Sequence, residues 1–134
     1  MDKIEVQEVM QRYAAGIDEL DFTAYRKCFA EELTVHGMRE SPVNGVNAWV
    51  EFVKQALTPY RATQHMLGPP MVTIEGDIAH VRTDLQAKHF YREPKGRCMT
   101  LWGTYSTEMK KTSAGWKISR HELRTVARQT EMLA

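Results

Sequence analysis

The sequence predicts an α+β fold from two changes in its pattern. From Val6 to Leu57 apolar residues recur every three or four positions, the period of helices packed on one side. From Met71 onward they alternate one in two, the period of half-buried strands. No repeat, linker or low-complexity stretch divides the 134 residues, so both halves read as one domain large enough to enclose a core. Helices gathered first and antiparallel strands gathered last are α+β order.

The first helix is expected from about Asp2 to Gly16, with Val6, Val9, Met10, Tyr13, Ile17 and Leu20 as one apolar stripe. Tyr13 is the only hydroxyl on that stripe. Gly16 is poor in a helix interior and common near an end, which puts Ile17 and Asp18 at the last turn or just past it. Asp18 is then free to point inward. Asp21 is a good cap for a second helix carrying Phe22, Tyr25 and Phe29. Leu33 to His36 reads as a short strand, and Ser41-Pro42-Val43-Asn44-Gly45 as a turn. A third helix, near Asn47 to Leu57, shows Trp49, Val50, Phe52, Val53 and Ala56 on a broad apolar face before Thr58-Pro59 stops it. Thr63-Gln64-His65-Met66 reads as buried. Gly68-Pro69-Pro70 breaks the chain, and Met71 to Glu75 is a strand. Ile78 to Tyr91 sets Ala79, Val81, Thr83, Leu85 and Ala87 against His80, Arg82, Asp84, Gln86 and Lys88. After a Glu93-Pro94-Lys95-Gly96 loop, Cys98 to Lys110 is the next strand, and Trp116 to about Thr125 the last.

Composition excludes several classes of function. With 18 basic and 17 acidic residues there is no field of one sign to draw nucleic acid or an anionic membrane. No apolar run of about 18 residues is present, and Met1-Asp2-Lys3-Ile4-Glu5 lacks a signal-peptide core, so a cytoplasmic protein is expected. Cys28 and Cys98 are expected as free buried thiols. His36, His80 and His89 give no metal-ligand spacing, and His80 and His89 cannot share a strand face. No Gly-x-Ser-x-Gly, Walker or dinucleotide motif occurs.

An ordered set spans nearly the whole chain: Tyr13 with Asp18 five residues on, Tyr25, Phe29-Ala30-Glu31-Glu32, Thr63-Gln64-His65-Met66, Gly103-Thr104-Tyr105 and Gly115-Trp116-Lys117-Ile118. It resembles the SnoaL-like branch of the superfamily that includes nuclear transport factor 2 and ketosteroid isomerase. Within that branch it is most similar to the lyases scytalone dehydratase, bile-acid 7α-dehydratase and hexachlorocyclohexane dehydrochlorinase. The resemblance implies a single SnoaL-like (NTF2-like) domain over residues 1–134. It also implies a cone-shaped α+β barrel, its N-terminal helices packed in a strongly curved, mostly antiparallel sheet. His65 occupies the place of a catalytic base, Asp18 that of the acid orienting it, and Tyr13 that of an assisting tyrosine. In relatives a polar residue of the last strand, usually arginine, also helps. Counted from Trp116, His121 falls where the dehydrochlorinase has its arginine, and Arg124 lies one position from that of the bile-acid enzyme. Both are expected substrate-binding residues. Scytalone dehydratase's second tyrosine and second histidine find no counterpart.

The chemistry suits these types. An unperturbed imidazole, pKa about 6.5, accepts a proton at neutral pH. A carboxylate on one ring nitrogen fixes the tautomer and steadies the imidazolium. A phenol can donate to a developing enolate or departing hydroxide. The expected activity is a lyase of the dehydratase type on a small hydrophobic cyclic molecule, with no metal or organic cofactor. The same residues would serve an isomerase or cyclase working through an enolate on a steroid or polyketide. A non-catalytic ligand-binding module is a third reading, because this fold hosts many functions. Bland roles exist too: His65 on a backbone carbonyl in the core, Asp18 bonding the next helix. The expected partners are a small hydrophobic molecule and further copies of the chain in a homodimer or homotrimer, with no nucleic acid and no membrane.

Overall fold

A computed structural model describes residues 1–134. The elements are α1 Asp2–Asp18, α2 Phe22–Arg26, β1 Phe29–His36, β2 Val43–Asn44, α3 Val46–Ala56, β3 Tyr60–Leu67, β4 Met71–Glu75, β5 Ile78–Tyr91, β6 Arg97–Thr112 and β7 Gly115–Met132. One strongly curved sheet of seven strands runs in the order β2-β1-β7-β6-β5-β3, with β4 also on β5. Only β1 and β7 pair in parallel. This is the NTF2-like α+β cone. No helix is long and apolar enough to cross a membrane.

The α1 stripe is buried as expected at Val6, Val9, Met10, Tyr13 and Ile17, but Leu20 is 56% exposed. The chain has left the helix by then, and Leu20 makes the reversal in a left-handed conformation (φ 54°). Gly16 is not an end signal; the helix continues to Asp18. A Cβ on Gly16 would lie 2.9 Å from that of Tyr25, so glycine is there to let α2 approach α1. Gly16→Val is therefore expected to cost about 1–3 kcal/mol, the range of overpacked cores. A denaturation midpoint matching wild type would contradict it. Asp21 caps α2, its Oδ1 accepting the Ala24 N–H at 3.1 Å. That helix ends at Arg26, and Phe29 opens β1 instead of closing the helix.

In β5, Ala79, Val81, Thr83, Leu85 and Ala87 are buried and the intervening residues face out, as the alternation predicts. The matching inward residues of β6 include Leu101, Tyr105 and Met109. Two strands depart from the pattern. β3 pairs with β5 from Tyr60 to Leu67 although its sequence lacks apolar alternation. Only every second residue there is half-buried, so the segment is not buried throughout, and Met66 is 62% exposed. β7 runs seven residues past Thr125, to Met132, because its far half pairs with the start of β6. Gly103 faces Thr125 while Trp102 faces Ala127, so Val126 bulges and the inward parity flips.

Paired residues of neighbouring strands point to the same face, so the register aligns rows across the concave side. His65, Ala87, Leu101 and Arg128 make one row. Thr63, His89, Met99 and Thr130 make the next. Cys28 and Cys98 are free and buried. Burial pushes the Cys28 thiol up to about 11, which keeps it unreactive.

Candidate functional site

Asp18 is the last residue of α1 and aims its carboxylate at β3. The carboxylate takes three hydrogen bonds there. Its Oδ2 accepts the His65 backbone N–H at 2.8 Å, and its Oδ1 accepts the Thr63 hydroxyl at 3.0 Å. Oδ1 also lies 2.7 Å from His65 Nδ1. Burial works against the carboxylate's charge, but the His65 ring, the His65 N–H and Thr63 outweigh it and hold the acid below its usual range. An ionised carboxylate only accepts, so the proton of this contact belongs on Nδ1, and Nε2 keeps a free lone pair. The His65 side chain is 8% exposed.

A cavity of about 120 Å³ adjoins this pair. Tyr13, Trp49, Leu101 and Tyr105 supply much of its apolar wall, and His65 and His89 its basic groups. Tyr13 is fully buried, and burial raises its phenol well above the usual value, so it stays a proton donor. Its hydroxyl lies 3.0 Å from His121 Nε2, and His121 Nδ1 lies 2.8 Å from the Thr107 hydroxyl. Burial depresses His121 to about 3, so its ring is neutral, with one donating and one accepting nitrogen. If Thr107 donates to Nδ1, Nε2–H donates to the Tyr13 oxygen, and the phenolic hydrogen can turn to the Tyr25 hydroxyl or to a guest in the cavity. Trp49 in turn donates to the Tyr25 hydroxyl at 2.9 Å, fixing the ring 5.2 Å from that of Tyr13.

Asp18 and His65, expected together, are in contact, and Tyr13 shares a cavity with His65. The two expected substrate-binding residues are placed otherwise. His121 is fully buried and meets Tyr13 instead of forming the cavity wall. Arg124 follows Leu123, which faces in, so Arg124 faces out and lies 3.5 Å from Thr104 Oγ1 on the convex side. His89 is the residue that sequence reasoning passed over. Its ring centroid is 5.8 Å from that of His65, and burial, followed by the charge of His65, pulls its pKa down. The signal for it was available, because His89 shares parity with the buried Leu85 and Ala87. No group of three or more His, Cys, Asp or Glu is placed to hold a metal.

A profile of the SnoaL-like domain matches residues 1–122. The chain belongs to the SnoaL-like family. Solved structures similar to it include a candidate scytalone dehydratase from Novosphingobium aromaticivorans, with TM-score 0.86 at 22% identity, covering 96% of this chain and 87% of the other. A hexachlorocyclohexane dehydrochlorinase from Novosphingobium barchaimii superposes with TM-score 0.85 at 12% identity over 96% of this chain and 88% of the other. A nuclear transport factor 2-like protein of Salmonella enterica gives 0.83 at 23% identity over 93% and 91%. At such identities the likeness establishes the SnoaL-like architecture, and chemistry has to be argued from the site.

Proposed function

We propose that this SnoaL-like protein is a cofactor-independent lyase that eliminates water, or a comparable leaving group, from a small hydrophobic cyclic substrate. The observation that carries the reading is the Asp18–His65 contact at 2.7 Å, with the ring of His65 on the wall of an apolar cavity. His65 Nε2 takes the proton from an acidic carbon. The electron pair left behind forms the new double bond as the leaving group departs from the neighbouring carbon. Asp18 holds the ring in the accepting tautomer and stabilises the imidazolium. Tyr13 donates its hydroxyl hydrogen to the departing or enolate oxygen. His89, neutral beside them, is a second polar group for the same guest.

Size supports the substrate class. A dry cavity of about 150 Å³ in another protein takes up benzene, so about 120 Å³ suits a guest whose buried part is a single ring. A fused-ring steroid would need the walls to move, which weighs against the isomerase reading on that substrate.

The test is a panel of monocyclic β-hydroxy ketones followed by product mass. Loss of one water supports elimination, whereas turnover at unchanged mass would replace it with isomerisation. Tyr13→Phe is expected to lower kcat about 10²-fold, the scale of one lost oxyanion donor. An unchanged kcat would remove Tyr13 from the mechanism.

A further inference from the structure

The concave row that begins at His65 ends at Arg128, on the far half of β7. Its cross-strand neighbour Leu101 is part of the cavity wall, so Arg128 stands at the rim on the same face. It makes no ion pair and no hydrogen bond. Arg97 lies one row beyond His89, with its guanidinium 3.8 Å from the centre of the Tyr91 ring and its Nε buried without a partner. The fields of both guanidiniums reach the phenol of Tyr60, on the opposite edge strand, whose ring is 5.0 Å from that of His89.

No carboxylate answers these charges. Asp18 is saturated by three donors, and Glu131 pairs with Lys88 at 3.7 Å on the other face of the sheet. One ring away from the imidazoles the concave face is thus cationic and unpaired. A guanidinium in that state is suited to bidentate recognition of an oxyanion.

We propose that Arg128, with Arg97 two rows further along the same face, is an anion-binding rim, and that the substrate is a ring with a carboxylate a few atoms away. The ring enters the cavity and the carboxylate stays at the rim. The inference rests on the reading of this cavity as the substrate site.

Two probes of one shape test it: 3-phenylpropanoate and its neutral amide, titrated into the full chain by ligand-observed NMR. Wild type is expected to bind the carboxylate about tenfold more tightly than the amide, the scale of a charge-assisted hydrogen bond. The preference should shrink between about 20 mM and about 500 mM salt, since rim charges are screened. Arg128→Gln should abolish most of the preference with amide affinity unchanged, and Arg128→Lys should restore part of it. Equal binding of the two probes by wild type, binding of neither, or a preference that survives Arg128→Gln and Arg97→Gln together would overturn the proposal. His65→Ala separates this from the lyase reading, because it should keep the carboxylate preference. A His65→Ala protein that keeps full turnover would sink the lyase mechanism and leave the rim standing.

Discussion

Turnover by His65→Ala or Asp18→Asn is expected to fall about 10³-fold, within the range for loss of a positioned general base. The asparagine variant is the sharper test, because it is nearly isosteric. Three donors converge on the Asp18 carboxylate, two on Oδ1 and one on Oδ2. An amide offers a single accepting oxygen. If that oxygen keeps the His65 backbone N–H, the NH₂ group faces Nδ1 and forces it to accept. The ring proton then moves to Nε2, and the nitrogen on the cavity side can no longer take a proton. If the oxygen keeps the ring instead, an NH₂ group is pressed against a backbone N–H. The first arrangement removes the accepting nitrogen and the second sets donor against donor at the His65 main chain, while the cavity stays nearly unchanged in volume. Substrate affinity should therefore move much less than kcat. Rates within a factor of about three of wild type for both variants would refute the assignment.

Acid should destabilise the protein through His121, a residue with no exposed surface. The unfolded chain protonates this histidine below about pH 6.5, whereas burial delays protonation in the folded state to about pH 3. Between those values the unfolded state holds the extra proton, so stability falls as pH falls, and the contribution levels off below the lower value. The slope approaches about 1.4 kcal/mol per pH unit, or roughly 2–3 kcal/mol between pH 7 and 4.5. His121→Gln keeps a polar group near Tyr13 and Thr107 but cannot titrate. Urea unfolding of both proteins at the two pH values isolates the effect, because other titrating groups cancel in the difference. Identical pH dependence in the two proteins would mean that His121 is not held neutral.

How much of this was legible follows from what each residue's neighbours are. The inward face of β5 could be read directly, since burial on one side of a paired strand imposes alternation. The contact of Asp18 with His65 was expected only through a resemblance, because nothing local links a helix end to a strand 47 residues on. β3 went unassigned because an edge strand with one side partly open carries mixed residues. The far half of β7 escaped for a related reason. Its residues are exposed, so no apolar rhythm marks them, and the bulge at Val126 breaks whatever parity remained. Arg124 was named from a count that fell one position from a relative's arginine, and one position in a strand is the whole difference between the two faces. Gly16 misled because a glycine near a helix end and a glycine at a helix crossing look alike in sequence.

The carboxylate that orients the imidazole also grips the main chain of the same residue, on an edge strand whose only strand partner is β5. Chemistry and seam are therefore one latch. Whenever the margin of the sheet peels back, the base leaves with it, so the exchange rate of the His65 amide proton with solvent is a clock for how often the reactive geometry is dismantled and rebuilt.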